Sequence, residues 1–328
     1  MRALVTGADG LLGSHLVRRL LAGGMDVRAF VLPGEDAPAL AELPLERFPG
    51  NLLDAAAVAR AVDGCALVFH CAAITDLWAD ENLVRQVNVA GTRHVLDACL
   101  QMNVRRLIFV GSASSFQYGT RERPGDESGA FPREYEGVAY MASKHRAMKL
   151  VREYVAERGL DAVIVAPTFM LGAHDFRPSS GELLRQFVRR GMPFVSKGGR
   201  NFACADDVAA ALVAAAEKGV RGETYIAGGC NLSYREFFTE VAGIVAGTRP
   251  PRLALPGPMV VAAGAGGSLL GRLTGRRPAL NLTVARLSTI GAYYSSAKAI
   301  RELDLPQTPV AAGIEQCVRC LYDFGHLP

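Results

Sequence analysis

The feature that most constrains this chain is its opening. An apolar strand, Arg2 to Thr6, runs directly into Gly7-Ala8-Asp9-Gly10-Leu11-Leu12-Gly13, and an amphipathic helix follows from Leu11 to Ala22. A G-x-x-G-x-x-G spacing between a strand and a helix has a physical logic. The first glycine permits the tight turn, the second lets backbone approach a pyrophosphate, and the third lets helix and strand pack closely. The free N–H groups and partial positive charge of the helix N-terminus then face the phosphates. Gly7, Gly10, Leu11, Leu12 and Gly13 are therefore predicted to cradle a dinucleotide.

The remaining pattern agrees with that start. Apolar strands are expected at Asp26 to Leu32, Ala66 to His70, Arg106 to Val110 and Ala162 to Ala166. Helices are expected between them at Ala55 to Val62, Asn88 to Met102 and Tyr140 to Arg158. Short, continuously apolar strands separated by helices imply parallel pairing through right-handed crossovers with both sheet faces covered. The fold class is α/β: a Rossmann-type doubly wound parallel sheet with a smaller C-terminal substrate-binding lobe. Beyond Pro167 the rhythm changes. Helices are expected at Gly181 to Arg190, Asp206 to Lys218 and Ser233 to Ala246, the last with a Ser233/Glu236 capping box, and a strand at Thr224 to Ala227. The division is placed at 1–167 and 201–230 for the dinucleotide domain, and 168–200 and 231–328 for the lobe.

Charge and cysteine usage exclude other classes. The formal charge is +4 and the basic doublets, Arg276-Arg277 among them, are scattered. A nucleic-acid groove needs clustering, so no nucleic-acid partner is expected. The seven cysteines are irregularly spaced, and Cys317-x-x-Cys320 lacks a second pair. Neither a disulfide framework nor a metal site follows, which suits a reducing cytoplasm. Met1-Arg2 enters a strand without a charged leader, so no signal peptide is expected. The most apolar stretch, Pro256 to Leu270, is short and broken by glycine. It is expected to be an apolar helix lining a pocket rather than a membrane span, with contact to a membrane surface as the second reading.

Catalytic chemistry points to Tyr140 and Lys144. The i, i+4 spacing puts phenol and ammonium on one helix face. A free phenol has a pKa near roughly 10, and an adjacent ammonium is expected to lower it. Tyr140 could then give a proton to a carbonyl oxygen, or take one from an alcohol, while Lys144 also holds the nicotinamide ribose. A third hydroxyl is expected from Gly111-Ser112-Ala113-Ser114-Ser115 at the end of the Arg106 to Val110 strand. Local sequence makes no choice among these serines.

Together these residues resemble the extended short-chain dehydrogenase/reductase family, NAD-dependent epimerase/dehydratase-like, near its dihydroflavonol reductase and 3β-hydroxysteroid dehydrogenase branches. The resemblance spans nearly the whole chain. Among the serines it implies Ser112, by its depth in the sheet, with Ser114 as the alternative. It implies an adenine contact at Gly50-Asn51-Leu52 and an H-x-A-A stretch along the cofactor at His70-Cys71-Ala72-Ala73. It implies a bracing Asn88 in Asn88-Val89-Ala90-Gly91-Thr92, and Pro167 beside the nicotinamide. Asp126-Glu127 is similar to the family's acidic pair after the serine strand, and Asp206-Asp207-Val208 to its D-D-V. Arg200, in Arg200-Asn201-Phe202, is a candidate substrate anion contact. A homodimer is implied as well.

Departures from the family pattern bear on the substrate. The second strand ends Phe30-Val31-Leu32-Pro33, with neither the acid that selects NAD nor an arginine for NADP. Both cofactors stay open, the nearby Asp9, Glu35 and Asp36 favouring NAD. Ala166 and Thr75 stand where sugar-nucleotide enzymes carry polar residues. The expected activity is NAD(P)-dependent hydride transfer to or from a carbonyl or secondary alcohol of a small molecule, either nucleotide-sugar-like or apolar, as a reductase or an epimerase. The alternative is a catalytically silent NAD(P)-binding sensor of the same fold.

Overall fold

The computed structural model describes residues 1–176, 179–275, 278 and 280–327. The Arg276-Arg277 doublet lies outside them. The strands are β1 (Arg2–Thr6), β2 (Asp26–Val31), β3 (Glu46–Pro49), β4 (Leu67–His70), β5 (Arg106–Val110), β6 (Ala162–Pro167), β7 (Phe169–Leu171), β8 (Phe194–Ser196), β9 (Gly199–Cys204), β10 (Thr224–Ala227), β11 (Cys230–Ser233), β12 (Leu253–Leu255) and β13 (Gly291–Ala292). The helices are α1 (Leu11–Ala22), α2 (Ala55–Val62), α3 (Glu81–Arg85), α4 (Thr92–Gln101), α5 (Ala139–Arg158), α6 (Gly181–Arg190), α7 (Ala205–Lys218), α8 (Tyr234–Ile244), α9 (Gly257–Thr274), α10 (Leu282–Ser288), α11 (Ala297–Leu303) and α12 (Val310–Asp323).

The main sheet is parallel throughout, in the order β3-β2-β1-β4-β5-β6-β10. The chain builds outward from β1 to β3, then returns to the other side of β1 with β4. That reversal opens a crevice at the carboxyl ends of β1 and β4, where ligands of doubly wound sheets bind. Thr6 and His70 are register partners at its rim. Helices α1, α7 and α11 cover one face of the sheet, and α2, α4 and α5 the other. This double burial is why the central strands are continuously apolar.

The edge strand β3 was not expected. Only every second residue of Glu46–Pro49 turns inward, and two of its four residues are charged, so it lacks the apolar run of a central strand. Its partner β2 receives it through Arg28, whose guanidinium is bonded to the carbonyls of Ala61 and Asp63 and lies 3.0 Å from Glu46.

A smaller sheet, β11-β9-β13 with β7 beside β9, forms the lobe with α6, α8 and α12. Of the span 201–230, Asn201 to Cys204 pair within this smaller sheet, while α7 and β10 serve the main one. Conversely α11, within 231–328, packs on the main core through Ala299 and Leu303. The Ser233–Glu236 capping box is formed and starts α8. All seven cysteines are free, with Cys317 and Cys320 buried in α12.

Candidate active site

The glycine turn is shaped by close approach. Gly7 has φ +65, and a Cβ on it would stand 2.7 Å from the Ala72 Cα. A Cβ on Gly13 would stand 2.0 Å from the Gly7 carbonyl oxygen. Gly10 caps α1 without a side chain, leaving the amides of Leu11, Leu12 and Gly13 in the helix's first turn. Leu11 and Leu12 bury their side chains in the core, so they reach a ligand only through backbone N–H groups. The concave, donor-rich turn fits a pyrophosphate.

A directed hydrogen-bond chain fixes the floor of the crevice. The Ala72 N–H donates to Thr6 Oγ1 (3.2 Å), and the Thr92 hydroxyl donates to the Asn88 carbonyl (2.7 Å). Between them sits the buried His70, with Nδ1 2.7 Å from Thr6 Oγ1 and Nε2 3.0 Å from Thr92 Oγ1. Since Thr92 spends its proton on Asn88, it must accept from His70 Nε2–H, and Nδ1 must accept from Thr6. His70 is thus a neutral spacer. Burial first, and the Lys144 cation second, hold its pKa down at about 3.

Asn88 joins this floor to α5. Its amide receives the Ile74 N–H at 2.8 Å and donates to the Ile74 carbonyl at 3.0 Å, bracing the Cys71-Ala72-Ala73 stretch. It also donates to Ser143 Oγ at 2.9 Å, and Ser143 donates to the Tyr140 carbonyl at 2.7 Å. The buried Asn88 sits in a single wide π-turn, Gln86–Gly91, between α3 and α4. The helix expected from Asn88 to Met102 is therefore interrupted and begins earlier, at Glu81. Such a turn leaves no 3.6-residue signature to read.

Tyr140 and Lys144 lie on the first turns of α5. Lys144 is buried, its Nζ donating to the Val110 carbonyl at 2.5 Å and lying 4.8 Å from the centre of the Phe109 ring. Burial lowers its pKa to about 8, against an opposing pull from Cys71. Cys71 itself is pushed up to about 12 by burial. The electrostatics of Tyr140 correct the sequence expectation. The dominant effect is burial, which raises the phenol, and the groups that lower it are the Ser112 hydroxyl and the Arg200 cation. Lys144 is instead committed to the end of β5 and the floor beneath.

Ser112 and Ser114 are not alternatives in space. Their hydroxyls are 2.8 Å apart, and of the two it is Ser112 that lowers the Tyr140 phenol. Asn51 accepts the Leu53 N–H at 2.9 Å, and the Leu52 carbonyl is bonded to His94 at 2.8 Å, which shapes the turn after β3. Pro167 ends β6 opposite Ala227. The acids 126 and 127 stand apart from the chemistry: Asp126 accepts from Ser128, and Glu127 from the Ile226 N–H of β10. Asp206 pairs with Arg19, and Asp207 accepts from Thr308.

Arg200 is no surface arginine. Its Nε donates to the Tyr234 hydroxyl at 2.7 Å and its guanidinium lies 5.5 Å from the Phe169 ring centre. Tyr234, Tyr135 and Tyr294 raise its pKa. This tyrosine ring around Arg200 was missed in the sequence, because its three members come from three separate segments. Beside Tyr140, a cluster of Tyr135, Val138, Met141 and Leu287, with Phe131 and Ile290 against it, makes an apolar wall.

The fold and crevice define a nicotinamide-dependent enzyme of the short-chain dehydrogenase/reductase class. Comparison with known proteins agrees. The chain belongs to the NAD dependent epimerase/dehydratase family, whose model matches residues 3–228. It is 31% identical to a putative dihydroflavonol 4-reductase of Synechocystis sp., over 98% of this chain and 95% of that protein. It is 32% identical to the sterol demethylase protein B of Methylococcus capsulatus, over 99% of both. Among solved structures, that of gox2253 matches with a TM-score of 0.87 at 31% identity, covering 99% of each chain.

Proposed function

We propose that this enzyme catalyses net hydride transfer between a nicotinamide cofactor and a carbonyl or secondary alcohol carbon of an apolar small molecule. The observation that carries the reading is the surroundings of Tyr140: Ser112 and Arg200 act on the phenol, and an aromatic and aliphatic wall stands beside it. Arg200, already held by Tyr234 and Phe169, suits one polar substituent of a largely apolar substrate better than a diphosphate. The names of the full-length relatives, a reductase and a sterol-processing protein, support the same direction.

The bound nicotinamide would supply or accept the hydride. In reduction, Tyr140 gives its phenolic proton to the carbonyl oxygen as the carbon becomes tetrahedral. The Ser112 hydroxyl holds that oxygen and stabilises the phenolate left behind. Oxidation runs the proton the other way. Lys144 is the group available to the cofactor ribose, and Gly7 to Gly13 the cradle for its pyrophosphate. Asn51, Leu52, Cys71, Ala72, Ala73, Asn88 and Pro167 line or brace its path. NAD is favoured over NADP by Asp9, Glu35 and Asp36, which would repel a 2′-phosphate. A cytoplasmic setting agrees with the free thiols. A homodimer is expected from the family resemblance.

The test is to incubate the purified enzyme with apolar ketones and alcohols, and separately with nucleotide sugars, while following the absorbance of reduced nicotinamide. A net absorbance change with apolar substrates supports the proposal. Inversion of a sugar nucleotide without net change would overturn it in favour of an epimerase. The ratio of kcat/KM for NADH and NADPH tests the cofactor choice.

A further inference from the structure

Helix α9 is inside out. Its protein-facing positions are glycine-rich: Gly264 and Gly267 bring the helix so close to its neighbour that a Cβ would stand 2.3 Å from the Ala285 side chain and 2.1 Å from the Leu280 carbonyl oxygen. Val260 is buried, but most of the helix's large side chains face outward. Met259 is 58% exposed, Leu269 and Leu270 60% each, and Leu273 76%. A helix on the surface of a water-soluble domain turns its leucines inward and its small or polar residues outward. Here, Val260 apart, the closest contacts with the protein fall on glycines, and the leucines lie on the outward face.

Charge indicates what covers this face. Residues 241–301 contain eight lysines and arginines and no acidic residue, in a chain whose formal charge is only +4. The remainder of the chain is therefore net negative. Arg272 on α9 and Arg286 on the neighbouring α10 are exposed, as are Arg249 and Arg252 in the segment preceding α9. Among the described residues no helix is long and apolar enough to cross a membrane. Exposed leucines flanked by arginines, on a helix unable to span, are the signature of an element lying in a lipid interface.

We propose that α9 docks this enzyme on the surface of an anionic lipid bilayer, with Leu269, Leu270 and Leu273 entering the acyl boundary and the arginines meeting the headgroups. The position is functional as well. Helix α10 packs on α9 through Ala285 and places Leu287 in the apolar wall beside Tyr140. One short helix thus separates the bilayer from the catalytic phenol. A substrate dissolved in lipid would reach the site without crossing water, which rests on the functional reading above and narrows its substrate to a lipid-soluble ketone or alcohol.

The test is flotation of the full chain with vesicles of phosphatidylcholine, alone or mixed with phosphatidylglycerol, before and after Leu269→Glu/Leu270→Glu/Leu273→Glu. A second variant, Arg272→Glu/Arg286→Glu, isolates the charge. The expected result is flotation with the anionic vesicles, partition weakened by about tenfold or more in each variant, and release by high salt. Unchanged circular dichroism and cofactor affinity in the variants would show that the fold is intact. The wild-type chain failing to float, or both variants floating as well as it does, overturns the proposal. So does a self-associated species that the leucine variant splits, in the absence of flotation, because a second copy would then be the occupant. Flotation needs no turnover, so failure to reduce any ketone would sink the functional reading and leave the docking result standing.

Discussion

Lys144 offers a quantitative test, because the role proposed for it needs a charge that is costly for folding. Its ammonium is buried under the crevice and bonded to one backbone carbonyl, that of Val110. Burial moves its pKa from 10.5 to about 8. At about 1.4 kcal/mol per tenfold change in proton affinity, keeping this charge in place costs the folded state about 3 kcal/mol at neutral pH. The sign follows from proton counting. The folded-state pKa lies below the unfolded one, so the unfolded chain binds more protons between pH about 8 and 10.5. The penalty is complete below pH about 8, and stability rises with pH across that window. Lys144→Met keeps the aliphatic stem and removes the charge, but leaves the Val110 carbonyl without its donor, at about 1 kcal/mol. The variant should be more stable than the wild type by about 2 kcal/mol at neutral pH, raising Tm by several degrees. It should also lose about 10²-fold or more in turnover. Urea and thermal unfolding without added cofactor, on both sides of pH about 8, would measure the difference. The advantage should shrink as the wild type sheds its proton. A variant less stable than wild type at neutral pH, or an advantage independent of pH, refutes the reasoning.

Four further outcomes are expected. Tyr140→Phe should lower kcat by roughly 10²- to 10⁴-fold while cofactor affinity, measured by calorimetry, stays unchanged. Ser112→Ala removes a group that lowers the phenol pKa, so the rising limb of the oxidation pH–rate profile should move to higher pH, whereas Ser114→Ala should leave that limb in place. Asn88→Ala should cost about 1–3 kcal/mol and weaken cofactor binding, since it releases Ile74 and Ser143 together; stability loss with unaltered affinity would show that the bracing does not reach the cofactor. Gly13→Ala should abolish cofactor binding, its Cβ falling 2.0 Å from the Gly7 oxygen, whereas Gly24→Ala, left-handed but in open space, should cost only about 1 kcal/mol and still bind.

What the sequence determined by itself was whatever depends on short stretches of chain. The glycine turn, the apolar strands, the i, i+4 placement of Tyr140 and Lys144 and the Ser233–Glu236 cap all follow from spacings within a few residues, where local sterics and periodicity act. The tertiary structure decided what depends on neighbours distant in the chain. It made β3 a strand by offering an edge, since Glu46–Pro49 has no core pattern of its own. It put the Ser112 hydroxyl, 2.8 Å from that of Ser114, where it lowers the Tyr140 phenol. It turned Lys144 onto Val110 and gave Ser112 and Arg200 the tuning of the phenol, because a pKa is set by burial and by charges that the fold brings together. It also turned the leucines of α9 outward: hydrophobicity is written in the sequence, but the face that meets protein is chosen by how closely a neighbouring backbone can approach, and here the glycines won that contact.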